Sequence, residues 1–299
     1  MEIIVMIIMF LVISSGGVLG AVFLQKKYEE TLPLMQCILI MILFWGGMAN
    51  LLKESVWIVC SLTIMGYGIC IFWIIKNKSI DRIKKNIFTN CFWVFLIVYL
   101  LIWVCNIGMV PHYYDEYTCW GTRVKDMCRL DMMYTSEHAR SWGQPYPPAT
   151  ALIQYFYEKI QYMIVGENKF VEWYLFVAYQ VFMVSFLMPL LGRVQLKRKK
   201  YDFIFIAVFV LTLPMIFYTY AYDTIMVDPL LGVMLGYCFF LLVNKKGTLF
   251  ELVAFTFCQI TLALTKDVVV FFNFMMWLYW IIDDIAKRSH EQKKSFRKN

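Results

Sequence analysis

Read along the chain, apolar residues come in unbroken runs of about twenty, separated by short polar connections that are rich in Lys and Arg. The runs cover 3–24, 33–51, 56–75, 87–109, 170–191, 201–221, 229–243, 249–264 and 268–282. A run of that length, coiled as a helix, crosses the hydrocarbon of a bilayer. Nothing in them alternates with the period of a strand. The pattern therefore predicts an all-α, polytopic transmembrane bundle of about nine spans. One stretch interrupts it: 110–169 is too polar to cross a membrane and forms a long loop. Within that loop, Leu152, Phe156, Ile160 and Met163 or Ile164 recur at helical spacing. The segment 149–165 is read as a helix, either lying at the membrane interface or leading into the next span.

The connections give the orientation. Residues 76–85 carry five cations against one acid, and Lys26-Lys27, the stretch from Arg193 to Lys200, Lys245-Lys246 and the C-terminal tail are also basic. With nine spans all of these fall on one side, which the positive-inside tendency makes cytoplasmic. The N-terminus and the long loop are then extracytoplasmic and the C-terminus is inside. The first apolar run lacks a basic leader and reads as a retained span rather than a signal peptide. The chain divides into an N-terminal three-span segment, 1–86, a core, 87–285, which holds the loop, and a basic cytoplasmic tail, 286–299.

Composition agrees. Hydrophobic residues make up 61% and charged residues 16%, too little polar surface to cover a water-soluble domain. The net charge of +7 sits in topology signals, so no nucleic-acid partner is expected. Nine Cys lie mostly inside apolar runs without C-x-x-C spacing; only Cys119 and Cys128 share the loop, as two thiols or as a disulfide. Gly16/Gly20 and Gly232/Gly236 have small-x-x-x-small spacing and read as helix-packing sites.

Candidate chemistry concentrates in the loop. Asp115 and Glu116 lie just beyond the fourth span, flanked by Tyr113, Tyr114, Tyr117 and Trp120 and followed by Arg123 and Lys125. On a regular helix Glu116, Trp120 and Arg123 share one face and Asp115 points about 100 degrees away, so the two acids take different roles. One accepts a proton; the other orients a cation or braces the loop. His112 with Asp115 is a candidate ligand pair for a divalent metal, although no ligand spacing specifies one, and no cofactor is assigned. Asp223 and Asp228 close a second outer turn that is expected to face the same cavity. Pro145-Tyr146-Pro147-Pro148 makes a rigid turn before the 149–165 helix.

The Asp-Glu pair after a span, Trp120-Gly121, the basic residue Lys125, the Tyr-Pro-Pro at Tyr146, Pro147 and Pro148, and the stretch from Tyr222 to Gly232 together resemble the outer loops of GT-C type integral-membrane glycosyltransferases. The similarity is to the protein O-mannosyltransferases and lipid A aminoarabinose transferases, over roughly 87–285. It implies transfer of a sugar from a polyprenyl-phosphate donor to an extracytoplasmic hydroxyl or amine on a glycan, lipid or protein, in a bacterial plasma membrane. By position it implies Asp115 as base, Glu116 as its neighbour, and Lys125 with Arg123 as partners of the donor phosphate. Trp120, Tyr146, Pro147 and Pro148 would line the substrate. Members carry more spans, so a compact or truncated relative is implied. The competing expectation is a transporter, flippase or accessory protein that binds lipid-linked saccharides without breaking a bond; scarce mid-span charge disfavours it.

Overall fold

The protein is described from a computed structural model, which covers residues 2–77, 80–141, 146–166, 169–194 and 200–296. Pro145 and the basic residues Lys197, Arg198 and Lys199 lie outside the described residues. Among the described residues twelve α-helices follow in order: α1 Glu2–Leu19, extended by a π-helical turn Gly20–Leu24; α2 Tyr28–Met48; α3 Leu52–Asn77; α4 Ile80–Ile87; α5 Asn90–Asn106; a π-helical turn Glu116–Trp120 running into α6 Gly121–Leu130; α7 Ala149–Val165; α8 Trp173–Arg193; α9 Lys200–Phe217; α10 Val227–Val243; α11 Leu249–Ala263; and α12 Val269–Phe296. Among the described residues there is no strand. Five helical segments (α1 with its π-turn, α2, α3, α8 and α12 as far as Lys287) are long and apolar enough to cross a membrane, and α5, α9, α10 and α11 are apolar but shorter.

Helix ends are set by local chemistry. Thr89 accepts from the Phe92 amide at the start of α5. At α11, Thr248 and Glu251 form a reciprocal capping box that satisfies two otherwise orphaned amides. The helices then pack around α8, which is buried along most of its length and touches α2, α5, α7, α9 and α10. The second hub is α2, against α1, α3, α8 and α11. The first three helices thus share one apolar core with the rest.

The ends of the helices sort into two sets. At one end the Glu29 carboxylate, in the first turn of α2, accepts from the Thr89 hydroxyl at the start of α5, and Lys245 after α10 pairs with Asp283 and Asp284 on α12. That end gathers Lys26, Lys27, Arg193 and Lys246 around one cavity. At the other end lie Glu2 of α1, the chain after α5, the end of α7 and the start of α8. Outward-facing residues such as Ile64, Phe72, Phe271 and Phe274 are exposed, and α3 and α12 are mostly unburied. Apolar faces of that extent require a non-aqueous surrounding, as in an integral membrane protein.

Two expectations change, at α7 and at the second glycine pair. Helix α7 is neither a surface helix nor a lead-in: Gly166 ends it in a left-handed turn, and it is buried on all sides between α6, α8 and the ends of α1 to α3. Its polar residues Gln154, Glu158, Lys159 and Gln161 are buried with the apolar ones. The 286–299 stretch is a continuation of α12 as far as Phe296. A Cβ at Gly16, Gly17 or Gly20 would collide with Met35, Tyr28 or Thr31, so α1 and α2 meet closely there; at Gly232 and Gly236 nothing lies within 4 Å, and those two face a groove instead of a helix.

Candidate functional site

The start of the long loop and the 222–228 turn meet. Glu116 is fully buried, its Oε2 accepting from the amides of His112 (2.9 Å) and Tyr113 (3.2 Å) and its Oε1 from the Thr224 hydroxyl (2.5 Å) and the Ile225 amide (2.9 Å). Four donors fill both oxygens, and they join the start of the long loop to the α9–α10 connection. Glu116 is therefore the acid that braces, with no lone pair directed to solvent. Its neighbour Asp115 is exposed. Asp115 precedes the π-helical turn in ordinary helical geometry, and as sequence neighbours on the winding the two acids point different ways, Glu116 to its four donors and Asp115 outward.

The same turn delivers Arg123 to an unusual place. Its side chain is 1% exposed, and the guanidinium carbon lies 4.6 Å from the centre of the Trp120 ring, 4.9 Å from Tyr146 and 5.4 Å from Tyr134. Nη2 donates to Cys119 Sγ at 2.6 Å, Nε has no partner, and among the described residues no carboxylate pairs with it. Rings can stabilise a cation through their quadrupoles, but they do not neutralise it. Trp120 and Tyr146 also meet edge to face at 5.6 Å, and the Tyr134 hydroxyl donates to the Tyr146 carbonyl. Tyr146 is 42% exposed and forms the open wall of the cage. Burial raises the Cys119 thiol, the Arg123 charge opposes that rise and the Asp115 charge adds to it, so Cys119 lies within electrostatic reach of both.

The other predicted residues are dispersed. Lys125 is on the opposite side of α6 from Arg123, its ammonium 5.5 Å from the centre of the Phe170 ring, so the two cations do not form one phosphate clamp. Asp223 is exposed beside the turn that Glu116 holds. Asp228 is exposed and paired with Lys266 at 2.5 Å, at the head of an apolar groove of about 380 Å³ lined by Leu187, Pro214, Phe217, Gly232 and Gly236. Pro147 is half-buried, Pro148 is buried and caps α7, and the Ala149 amide donates to the Leu264 carbonyl at 2.7 Å. His112 and His138 are exposed. Among the described residues no three His, Cys, Asp or Glu side chains gather as a ligand set, so the candidate pair His112 and Asp115 has no third ligand beside it there. Cys128 is a free thiol and the Cys119–Cys128 disulfide is not made.

Residues that the sequence reading passed over hold this architecture together. Asp126 accepts from Arg129 and from the Arg140 and Ser141 amides, pinning the 131–141 segment against α6. Burial tends to raise its carboxyl, but these donors outweigh burial and leave it below the ordinary carboxylate value. Asp131, in the left-handed region at the end of α6, accepts from Tyr155 and pairs with Lys159 on α7. Glu158 is fully buried and, among the described residues, accepts from the Val171 amide alone, at 3.3 Å; burial pushes its carboxyl well above the ordinary range. The available signal was polar residues inside a helix whose other positions are apolar. Comparison with protein families, with characterised proteins and with solved structures gives no match to this chain.

Proposed function

We propose that the protein is an integral-membrane glycosyltransferase that moves a sugar from a polyprenyl-phosphate donor to an acceptor hydroxyl or amine outside the membrane. The observation that carries this reading is Arg123: a buried guanidinium with no carboxylate partner among the described residues, in an aromatic cage, with the exposed acid Asp115 in electrostatic reach of the same Cys119 thiol. A buried charge without a counter-ion costs several kcal/mol, and an anion entering the cage offsets that cost. Arginine suits a phosphate because its planar fork can give two parallel hydrogen bonds. The reaction needs little more. The acceptor oxygen attacks the anomeric carbon, the bond from that carbon to the phosphate oxygen breaks, the electron pair leaves on the phosphate, and Asp115 takes the acceptor's proton. Polyprenyl phosphate leaves as an anion and requires no general acid, so one free carboxylate suffices.

The nine apolar helices are taken as spans, with the basic end cytoplasmic, the N-terminus and the Asp115 loop outside, and a bacterial plasma membrane as the setting. Lys125, apart from Arg123, is assigned no phosphate contact. A second reading is favoured by Glu116: with that acid consumed in bracing, a protein that only binds a lipid-linked saccharide would need no further carboxylate.

The test uses protein purified in detergent, a radiolabelled polyprenyl-phosphate hexose and crude envelope acceptors. Asp115→Asn is expected to lower transfer about 10²- to 10⁴-fold with donor binding retained, and Arg123→Gln to abolish donor binding. Undiminished transfer by Asp115→Asn overturns the assignment of the base. Donor binding without transfer by the wild type selects the carrier reading, and no donor binding at all removes both.

A further inference from the structure

The basic end of the bundle holds a cavity of about 260 Å³ that the proposed function does not use, between the start of α2 and the ends of α8 and α10 and the start of α11. Lys26, Lys27, Arg193 and Lys246 stand around it. Lys27, Arg193 and Lys246 are exposed and Lys26 is half-buried, so a ligand can reach all of them. Among the described residues none of these cations forms an ion pair. Acids are nevertheless at hand. Glu29, Glu30 and Glu251 line the same cavity, but each is held by other donors: Glu29 by the Thr89 hydroxyl at 2.7 Å, Glu30 by the Lys27 amide at 2.9 Å, and Glu251 by the Lys246 and Thr248 amides at 2.9 and 3.2 Å. Glu30 and Glu251 thus serve the first turns of α2 and α11, where amides and helix dipole favour a carboxylate. Lys245 gives the contrast: one residue from Lys246, it turns to α12 and pairs with Asp283 and Asp284.

The lining chemistry narrows the ligand. The cations outnumber the acids, and like charges converging on one opening repel one another, so an anion that enters relieves the repulsion. Phosphate is the anion such a set of ammonium and guanidinium donors suits. The rest of the wall is apolar: Pro189 on α8 and Tyr237, Phe240 and Leu241 on α10 lie further into the bundle than Arg193 and Asn244, and Phe250 has the Lys26 ammonium 4.9 Å from its ring centre. A free phosphate shares the chemistry of the cations but gains nothing from that wall. A phospholipid gains from both, with its phosphate among the cations and its glycerol and first methylenes against the apolar residues. The helices that meet here are the apolar ones, so the cavity lies where they leave the membrane, and basic pockets between helix ends recognise anionic headgroups. The volume is many times that of one water and just below the range of small-molecule sites, which admits a headgroup and excludes a whole lipid.

We propose that this cavity binds the phosphate of an anionic phospholipid from the leaflet at the basic end, with Lys26, Lys27, Arg193 and Lys246 as its counter-charges; nothing in this depends on the transferase reading. The experiment titrates the full chain, in a non-ionic detergent, with phosphatidylglycerol or phosphatidylcholine and counts retained lipid by native mass spectrometry. Saturable retention of phosphatidylglycerol is expected, with phosphatidylcholine at least about tenfold weaker. Each cation near an anionic lipid is worth about fivefold, so Lys26→Gln combined with Lys246→Gln should weaken phosphatidylglycerol about 25-fold. The same pair changed to Arg keeps the charge and should restore binding. The Gln variant removes no ion pair, and its thermal stability without lipid should equal that of the wild type. Lys84→Gln, exposed on α4 at the same end but outside the cavity, should bind as the wild type does. Equal retention of the two lipids, or an equal loss in Lys84→Gln, overturns the cavity in favour of a diffuse surface attraction. Inorganic phosphate that displaces phosphatidylglycerol at equal concentration overturns the lipid as its source.

Discussion

Glu116→Gln isolates the joint between the start of the long loop and the 222–228 turn. The amide keeps the size of the carboxylate but replaces one acceptor oxygen by a donor. At the Oε2 position it would face two amides, from His112 and Tyr113, so the side chain turns its nitrogen toward the other pair. There the Thr224 hydroxyl can rotate to accept, but the Ile225 amide cannot. At least one hydrogen bond to a charged acceptor is lost and a buried donor is left facing a donor. Such a bond contributes about 1.5–3 kcal/mol. At about 1.36 kcal/mol per decade, the joint should open roughly 10- to 150-fold more often. Hydrogen exchange read by mass spectrometry on peptides covering 110–116 and 222–228 measures that opening directly, and both peptides should accelerate together although they are more than a hundred residues apart in sequence. Asp115→Asn, one residue away and exposed, should leave both unchanged. Unaltered exchange at Ile225 in Glu116→Gln would falsify the joint.

Two further outcomes follow from the same structure. The Asp126 carboxyl sits below its ordinary value, so the stability it lends the 131–141 segment is present above the unfolded carboxylate pKa of about 3.9 and is lost as pH falls through the lower folded value; exchange of the Arg140 and Ser141 amides should quicken below about pH 4, and Asp126→Asn, about 1–3 kcal/mol less stable, should remove that pH dependence. A Cβ at Gly17 would come within 2.1 Å of the Tyr28 ring while one at Gly236 meets nothing, so Gly17→Ala should cost about 1–3 kcal/mol and Gly236→Ala should be neutral or gain up to about 1 kcal/mol. Thermal denaturation of the two variants side by side checks this, and equal losses would contradict the difference in packing.

How much of this was legible depends on how local the cause is. The apolar helices could be read from the chain because burial in hydrocarbon sums over about twenty neighbours and tolerates any one exception. The convergence of the acidic turns could be anticipated from the order of the helices, and the bond from Glu116 to Thr224 and Ile225 realises it. Which acid would face inward was not legible: Trp120 and Arg123 do share a face, the guanidinium carbon lying 4.6 Å from the Trp120 ring, but the inward turn of Glu116 is met by Thr224 and Ile225, more than a hundred residues on. Nor was the separation of Lys125 from Arg123 taken into account, although two residues on one helix diverge by about 200 degrees and cannot clasp one phosphate together. Gly16 and Gly232 look alike in sequence; only the presence of α2 against one and the absence of a helix against the other tells packing from groove.

Helix α7 shows the same limit from the other side. Its apolar stripe at Leu152, Phe156 and Ile160 fits an interfacial helix, and the polar remainder would then face water. In the folded chain that remainder is enclosed, because Asp131 reaches Lys159 and Tyr155, the Val171 amide reaches Glu158, and the Leu175 carbonyl reaches Gln154. Each partner comes from outside the helix, so no window of sequence contains the pair. The polar side of a helix is thus a statement about partners as much as about solvent. Where partners are found, as for Lys159, burial is structural; where one is missing, as for the Nε of Arg123, the unmet hydrogen-bonding capacity marks where a ligand has something to gain by binding. The proposed anion site at Arg123 follows from that criterion, and it does not require the two acids that first drew attention to the loop to act together.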